Sequence, residues 1–238
     1  MKTQRLKALF LISAFIALSV ISPLSSQSVP EHNPILFIHG WSANASKWDT
    51  MKQRFIDDGW SSDSLFAYTF ANPNSGAVGI NITNASQISG WVDQVLAQTG
   101  ANRVDIICHS MGGVSTLYYL HSLGGAAGGK VTDVVFLDSS MKGNPDWLVV
   151  LAIPDMKPST AVCKANAVRD QTPYGILADS VDPHVAGDMT YTCYWQKDSI
   201  NTLDGATSLQ FSAIAHNDFC TDAGIYEYVS AAVQANED

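Results

Sequence analysis

Apolar residues fall into two rhythms along this chain. Short, nearly unbroken runs occur at Pro34 to Ile38, Val104 to Cys108 and Val131 to Leu137. Continuous rather than alternating apolarity predicts strands buried on both faces, as in a parallel sheet. Between them, apolar residues recur at helical spacing. Trp48, Met51, Phe55 and Ile56 mark a helix over Ser46 to Asp58 that stops at Gly59. Ile88, Trp91, Val92, Val95 and Leu96 mark another over about Ser86 to Gln98, ended by Gly100, and a third runs from Met111 to Leu123. Leu65 to Phe70 reads as a strand, followed by an Asn- and Gly-rich loop from Ala71 to Asn84. Further on, Met189 to Trp195 and Leu209 to Ile214 read as strands, and Asp222 to Gln234 as a closing helix. Strands alternating with helices imply right-handed crossovers, and so a single α/β domain whose mostly parallel central sheet carries helices on both faces.

Two stretches break the alternation. Residues 140–188 hold no sustained period, and the apolar heptad Trp147 to Ile153 inside them is bounded by Pro145 and Pro154. So long a connection between core strands reads as an insertion, either a cap over a site or a helix packed on the core. At the N-terminus, Lys2, Arg5 and Lys7 precede the apolar run Ala8 to Ile21 and a Ser-rich end, the pattern of a secretory signal peptide cleaved after Ser28. The expected product is a secreted domain over 29–238 with no integral membrane span, extracellular, or periplasmic in a Gram-negative host. Charge points the same way on partners. The chain has 13 Lys and Arg against 22 Asp and Glu, and removal of three basic residues with the leader leaves 10 against 22, a net charge of −12. Such a surface argues against nucleic acid and anionic bilayers, though not against neutral lipid. A monomer is expected.

Chemistry concentrates at the carboxyl ends of the predicted strands, where ligands bind in such sheets. Cys108-His109-Ser110-Met111-Gly112-Gly113 follows a strand and opens a helix, the setting of a nucleophile elbow, with Cys108 in place of the usual first glycine. A serine hydroxyl needs an adjacent base, and the base a carboxylate. His216 follows the last strand and precedes the last helix, so it is the candidate base. Asp198 and Asp138 both follow a strand and both lie between Ser110 and His216; Asp198 is favoured by its place near the last strand. The backbone N–H groups of Met111, after the nucleophile, and of Trp41, in the turn His39-Gly40-Trp41, are the candidate oxyanion donors. This chemistry calls for no metal and no organic cofactor.

These motifs resemble those of the small bacterial triacylglycerol lipases with a minimal α/β-hydrolase fold, the Bacillus lipase A group of class 2 lipases. The resemblance runs through Asn33-Pro34 to His39-Gly40, Gly59-Trp60-Ser61, His109-Ser110-Met111-Gly112-Gly113 and Leu117-Tyr118-Tyr119, and resumes at Tyr191-Thr192, Asp198, Leu203-Asp204-Gly205-Ala206 and His216. It implies an ester or lipid substrate and an acyl-enzyme on Ser110. Ser42 stands where that family's oxyanion turn has its second glycine, and residues 140–188 have no counterpart in those lidless enzymes. A short-chain esterase or an acyltransferase would use the same triad. A catalytically inactive binding protein is the reading of another class.

Four cysteines in an exported chain suggest disulfides. Cys108 and Cys193 fall in strands, so Cys163 and Cys220 are the expected bridge, the alternatives being four reduced cysteines or Cys193 paired with one of the outer two. Asn44-Ala45-Ser46, Asn81-Ile82-Thr83 and Asn84-Ala85-Ser86 match the N-glycosylation pattern, relevant only in a eukaryotic secretory route.

Overall fold

The computed structural model describes residues 32–170, 190–195, 202–203 and 206–235. Among the described residues, six strands form one sheet: β1 (Ile35–Ile38), β2 (Leu65–Ala67), β3 (Val104–His109), β4 (Val131–Leu137), β5 (Thr190–Trp195) and β6 (Thr207–Gln210). They lie in the order β2-β1-β3-β4-β5-β6, and every neighbouring pair is parallel. β1, β3 and β4 are buried throughout, as their unbroken apolar runs require.

Helices cover both faces. Leu36, Ile38, Ile106, Cys108, Val134 and Phe136 point to one side, where α2 (Ile80–Thr99) and α3 (Met111–Ser122) supply Ile88, Val92, Leu117 and Leu120. Ile35, Phe37, Ile107, Val135 and Leu137 point to the other, against Met51 and Phe55 of α1 (Asp49–Asp57) and Ile225, Val229 and Val233 of α6 (Ala223–Gln234). β3 and β4 fall out of step once. Val104 faces Val131 but Ile106 faces Val134, so Thr132 and Asp133 together oppose Asp105. The bulge is held by Asp105, whose Oδ1 accepts the Asp133 N–H at 3.1 Å.

Three elements differ from expectation, and one of them is β2, which ends at Ala67 and not at Phe70. α2 begins at Ile80 and not near Ser86, because a distant carboxylate caps it. Asp155, almost fully buried, accepts the Gly79 N–H at 2.8 Å on one oxygen, and the N–H and side-chain amide of Asn81 at 2.9 and 2.8 Å on the other. Asn81 and Asn84 are buried as a result, so neither is open to glycosylation. β6 ends at Gln210, four residues short of the expected Ile214.

In the 140–188 stretch, residues up to 170 form α4 (Trp147–Ala152) and α5 (Ala161–Asp170), the latter packed on α3. The bridge between Cys163 and Cys220 is not made. Both are buried thiols, Cys163 beside Val114 and Met156 on the α3 side of the sheet and Cys220 on the α1/α6 side. Their positions outside the sheet had suggested exposure, and the fold buries both instead. Cys108 and Cys193 are separated by β4, where Phe136 pairs with each. Cys108 Sγ reaches the Val135 carbonyl at 3.4 Å. No helix among the described residues is long and apolar enough to cross a membrane.

Candidate active site

The site is built from backbone strain and close approach. Ser110 sits at φ 56° and ψ −131°, a conformation that costs a non-glycine residue of order 1–3 kcal/mol. Its N–H donates to the Leu137 carbonyl at 3.1 Å, and its carbonyl accepts the Gly113 N–H at 3.0 Å, so the ends of β4 and α3 enforce the turn. The turn requires glycine where backbones converge. A Cβ on Gly112 would lie 2.5 Å from the His39 carbonyl oxygen, and one on Gly40 would lie 2.7 Å from Ser110 Cβ. Hence the loop after β1 rests directly against Ser110. Cys108 is tolerated where the motif has glycine because its side chain points into the α2/α3 core, away from the turn.

Two bonds connect Ser110 to a carboxylate. Ser110 Oγ lies 3.0 Å from His216 Nε2, and His216 Nδ1 lies 2.6 Å from Asp138 Oδ2. The carboxylate on the imidazole is thus Asp138, the second of the two sequence candidates; Asp198, which the sequence favours, lies outside the described residues. The register explains the outcome. His109 pairs with Leu137, so the residues that follow, Ser110 and Asp138, leave adjacent strands at the same level. Asp138 is also a non-glycine residue at positive φ, 43°, and is nearly buried, which fixes its carboxylate.

The loop that carries His216 is held by side chains from elsewhere. His109 Nε2 donates to the His216 carbonyl at 2.7 Å, and the two imidazoles pack against each other with centroids 4.6 Å apart and planes tilted by 39°. Lys47 Nζ donates to the next carbonyl, Asn217, at 2.8 Å, and Arg54 to that of Thr221 at 2.6 Å. His109 is buried, and its Nδ1 has no hydrogen-bond partner among the described residues. Burial, reinforced by the charge that His216 can take up beside it, pushes the His109 pKa down to about 3. It is neutral at working pH, with its proton on Nε2.

His39 does similar work in the opposite turn. Its Nε2 accepts the Phe70 N–H at 3.1 Å, which leaves Nδ1–H to donate to the Gly40 carbonyl at 2.7 Å. Burial holds its pKa below the usual imidazole value. The turn continues through Trp41, whose indole N–H donates to the Asn74 carbonyl at 2.9 Å, to Ser42 at φ 56°. Ser42 thus adopts the conformation that makes glycine the family residue there, held by its N–H bond to Pro73 at 2.8 Å. Met111 opens α3 directly after Ser110, so its N–H is among those left unsatisfied at a helix start.

Ser110, His216, Asp138, His109 and the turn from Gly40 to Ser42 border one open cavity of about 1000 Å³. Ser110, His216, Asp138, Trp41 and Met111 lie on its inner side, and Leu148, Val149, Ala152, Ile153 and Met156 form an apolar wall. From the sequence, His39 and His109 were visible only as neighbours of the motifs. Their anchoring bonds to Gly40 and His216 involve backbone carbonyls and leave no signature in residue type.

The chain is similar to known proteins in part of its sequence and in its fold. The model of the lipase (class 2) family matches residues 32–137, ending one residue before Asp138. Among solved structures, the mature lipase BlEst2 of Bacillus licheniformis superposes with a TM-score of 0.63 at 14% identity, covering 89% of this chain and 96% of that one. A gene product of Listeria innocua gives 0.57 at 14% identity over 85% and 94% of the two chains. An esterase of Exiguobacterium antarcticum gives 0.52 at 16% over 85% and 92%. Likeness at such identities speaks to the fold, an α/β-hydrolase fold in a single domain. Over residues 32–137, the segment that carries the elbow, the chain is similar to the class 2 lipases, and its fold is that of the α/β-hydrolases.

Proposed function

We propose that the protein is a secreted serine hydrolase of lipid esters. Ser110 is its nucleophile, His216 its base and then its acid, and Asp138 the group that orients His216. The observation that carries this reading is the continuous Ser110–His216–Asp138 contact, 3.0 and 2.6 Å, at a strained turn facing an apolar-walled cavity. Ser110 Oγ attacks the ester carbonyl carbon while its proton passes to His216 Nε2. Asp138 holds the opposite nitrogen protonated and stabilises the imidazolium. The N–H groups of Met111 and Trp41 receive the oxyanion. As the tetrahedral intermediate collapses, the C–O bond to the alcohol breaks and His216 returns the proton to the leaving oxygen. Water then attacks the acyl-serine with His216 again as base, which releases the carboxylic acid and regenerates Ser110.

The apolar wall supports an acyl chain as the group bound there, and the acidic chain supports an uncharged substrate. Residues 1–28 are read as the export signal, and a mature N-terminus at Val29, found by sequencing the exported protein, would bear this out. Ser110→Ala should abolish turnover of a dissolved short-chain chromogenic ester. Asp138→Asn should keep the fold and lower kcat by on the order of 10⁴-fold, as tautomer loss does in the serine protease triad. Equal slow hydrolysis by wild type and Ser110→Ala would reject the catalytic reading in favour of a binding protein. An Asp138→Asn enzyme of near-normal kcat would return the role to Asp198.

A further inference from the structure

The fold leaves apolar surface uncovered at the mouth of the cavity. α4 is six residues long, Trp-Leu-Val-Val-Leu-Ala, and none is charged. Trp147 is 70% exposed, Leu148 56% and Leu151 71%; at helical spacing they share one side of α4, while Leu148, Val149 and Ala152 line the cavity. Across the opening stands Trp41, 38% exposed. The two rims are joined by one loop. Asn74 accepts the Trp41 indole N–H, and two residues on, Gly76 packs so closely on Ala152 and Ile153 that a Cβ would meet each at 2.7 Å.

α4 is also held in place. Ile153 and Met156, just beyond it, are buried against α3, the Asp155 N–H donates to Gly76, and the Asp155 carboxylate caps α2. An apolar helix so fixed, beside an open cavity, is not arranged to swing across it. Few sources of stabilisation suit such a face. It carries no basic residue to recruit an anionic partner, and the whole chain has a net charge of −9. Tryptophan and leucine on an exposed helix match an uncharged lipid–water interface, where apolar side chains enter the acyl boundary and the indole sits at the headgroup level.

We propose that α4, with Trp41 opposite, is a fixed docking surface for the interface of aggregated, uncharged lipid ester, placing the cavity mouth on the substrate phase without a lid movement. The proposal rests on the ester-hydrolase reading above. Its test uses Trp147→Ser/Leu151→Ser, two positions that do not line the cavity. Hydrolysis of a tributyrin emulsion should fall about tenfold or more, while kcat/KM on dissolved p-nitrophenyl butyrate stays at the wild-type value. Separately, Ser110→Ala should co-sediment with phosphatidylcholine vesicles and lose that binding when the two serines are added. An unchanged emulsion rate, or equal losses on both substrates, would overturn the docking face. So would a wild-type dimer in solution that the two serines dissociate, since a second copy would then be the occupant. If Ser110→Ala kept its activity on the dissolved ester, the hydrolase reading would fail by itself, and vesicle sedimentation would still report on α4.

Discussion

His109 stands beside the nucleophile in sequence and beside the base in space. Its Nε2–H is spent on the His216 carbonyl, and its buried Nδ1 has no hydrogen-bond partner among the described residues, so a second proton would bring a buried charge with no acceptor for its N–H. The sign of the resulting pH dependence follows. The folded pKa is about 3 against an ordinary 6.5, so between those values the unfolded chain binds a proton that the folded one excludes. The stabilisation is complete above pH 6.5 and is lost as pH falls toward 3, at roughly 1 kcal/mol per pH unit. Thermal unfolding from pH 7 to pH 4.5 should show the melting temperature falling. In His109→Gln the fall should be shallower, though not absent, since His39 acts in the same direction. The glutamine amide can still donate to His216, so that variant should keep most activity, whereas His109→Leu should lose on the order of 10²-fold in kcat through a misplaced base. Equal pH slopes in wild type and His109→Gln would contradict the account. Ser110 and His216 were legible from sequence because nucleophile and base occupy recognisable places, an elbow and a late loop. The acid was not, because Asp138 and Asp198 satisfy the same chain order, and the level of Asp138 with Ser110 is set by strand register, which leaves no mark in the sequence.

At the scale of elements, the strands and most helices could be read from apolar runs and 3.6-residue spacing, since burial on two faces or one imposes those periods. The start of α2 could not. Ala71 to Asn84 is rich in loop-forming residues, and the helix reaches back to Ile80 only because Asp155, more than seventy residues later, caps its first turn. Asp155→Ala would remove three hydrogen bonds to a buried carboxylate and leave their donors unmet. A loss of about 2–4 kcal/mol in urea unfolding is expected, accompanied by lower far-UV helicity. An effect under about 0.5 kcal/mol would mean that water replaces the cap. The same carboxylate anchors the connection after α4, so this variant should also show a weaker preference for emulsion over dissolved ester.

Across the whole molecule, two layers of helices enclose the sheet, and the thiols are divided between them. Cys163 and Cys220 lie on opposite sides, and burial raises their pKa values to about 11 and 12. The melting temperature should therefore not change with dithiothreitol, and neither thiol should react with a disulfide reagent before unfolding. A reductant-sensitive melting temperature, with Cys163 and Cys220 recovered in one linked peptide, would contradict this arrangement. A different constraint comes from the bulge at Asp105 and Asp133. Because Thr132 and Asp133 share one partner residue, β4 runs one position ahead of β3, which is how Asp138 comes level with Ser110. Side chains on a strand alternate, so the site is keyed to odd and even counting. Were one residue deleted from β4 beyond the bulge, the positions after it would exchange faces and the carboxylate at 138 would turn away from the imidazole, whereas deletion of Thr132 would restore regular alternation and keep Val134 and Phe136 on the face they share with Val131. Length changes that arise in this strand thus face an arithmetic filter: away from the bulge a single step inverts the parity of core and site together, which confines variation in chain length to the bulge and the loops.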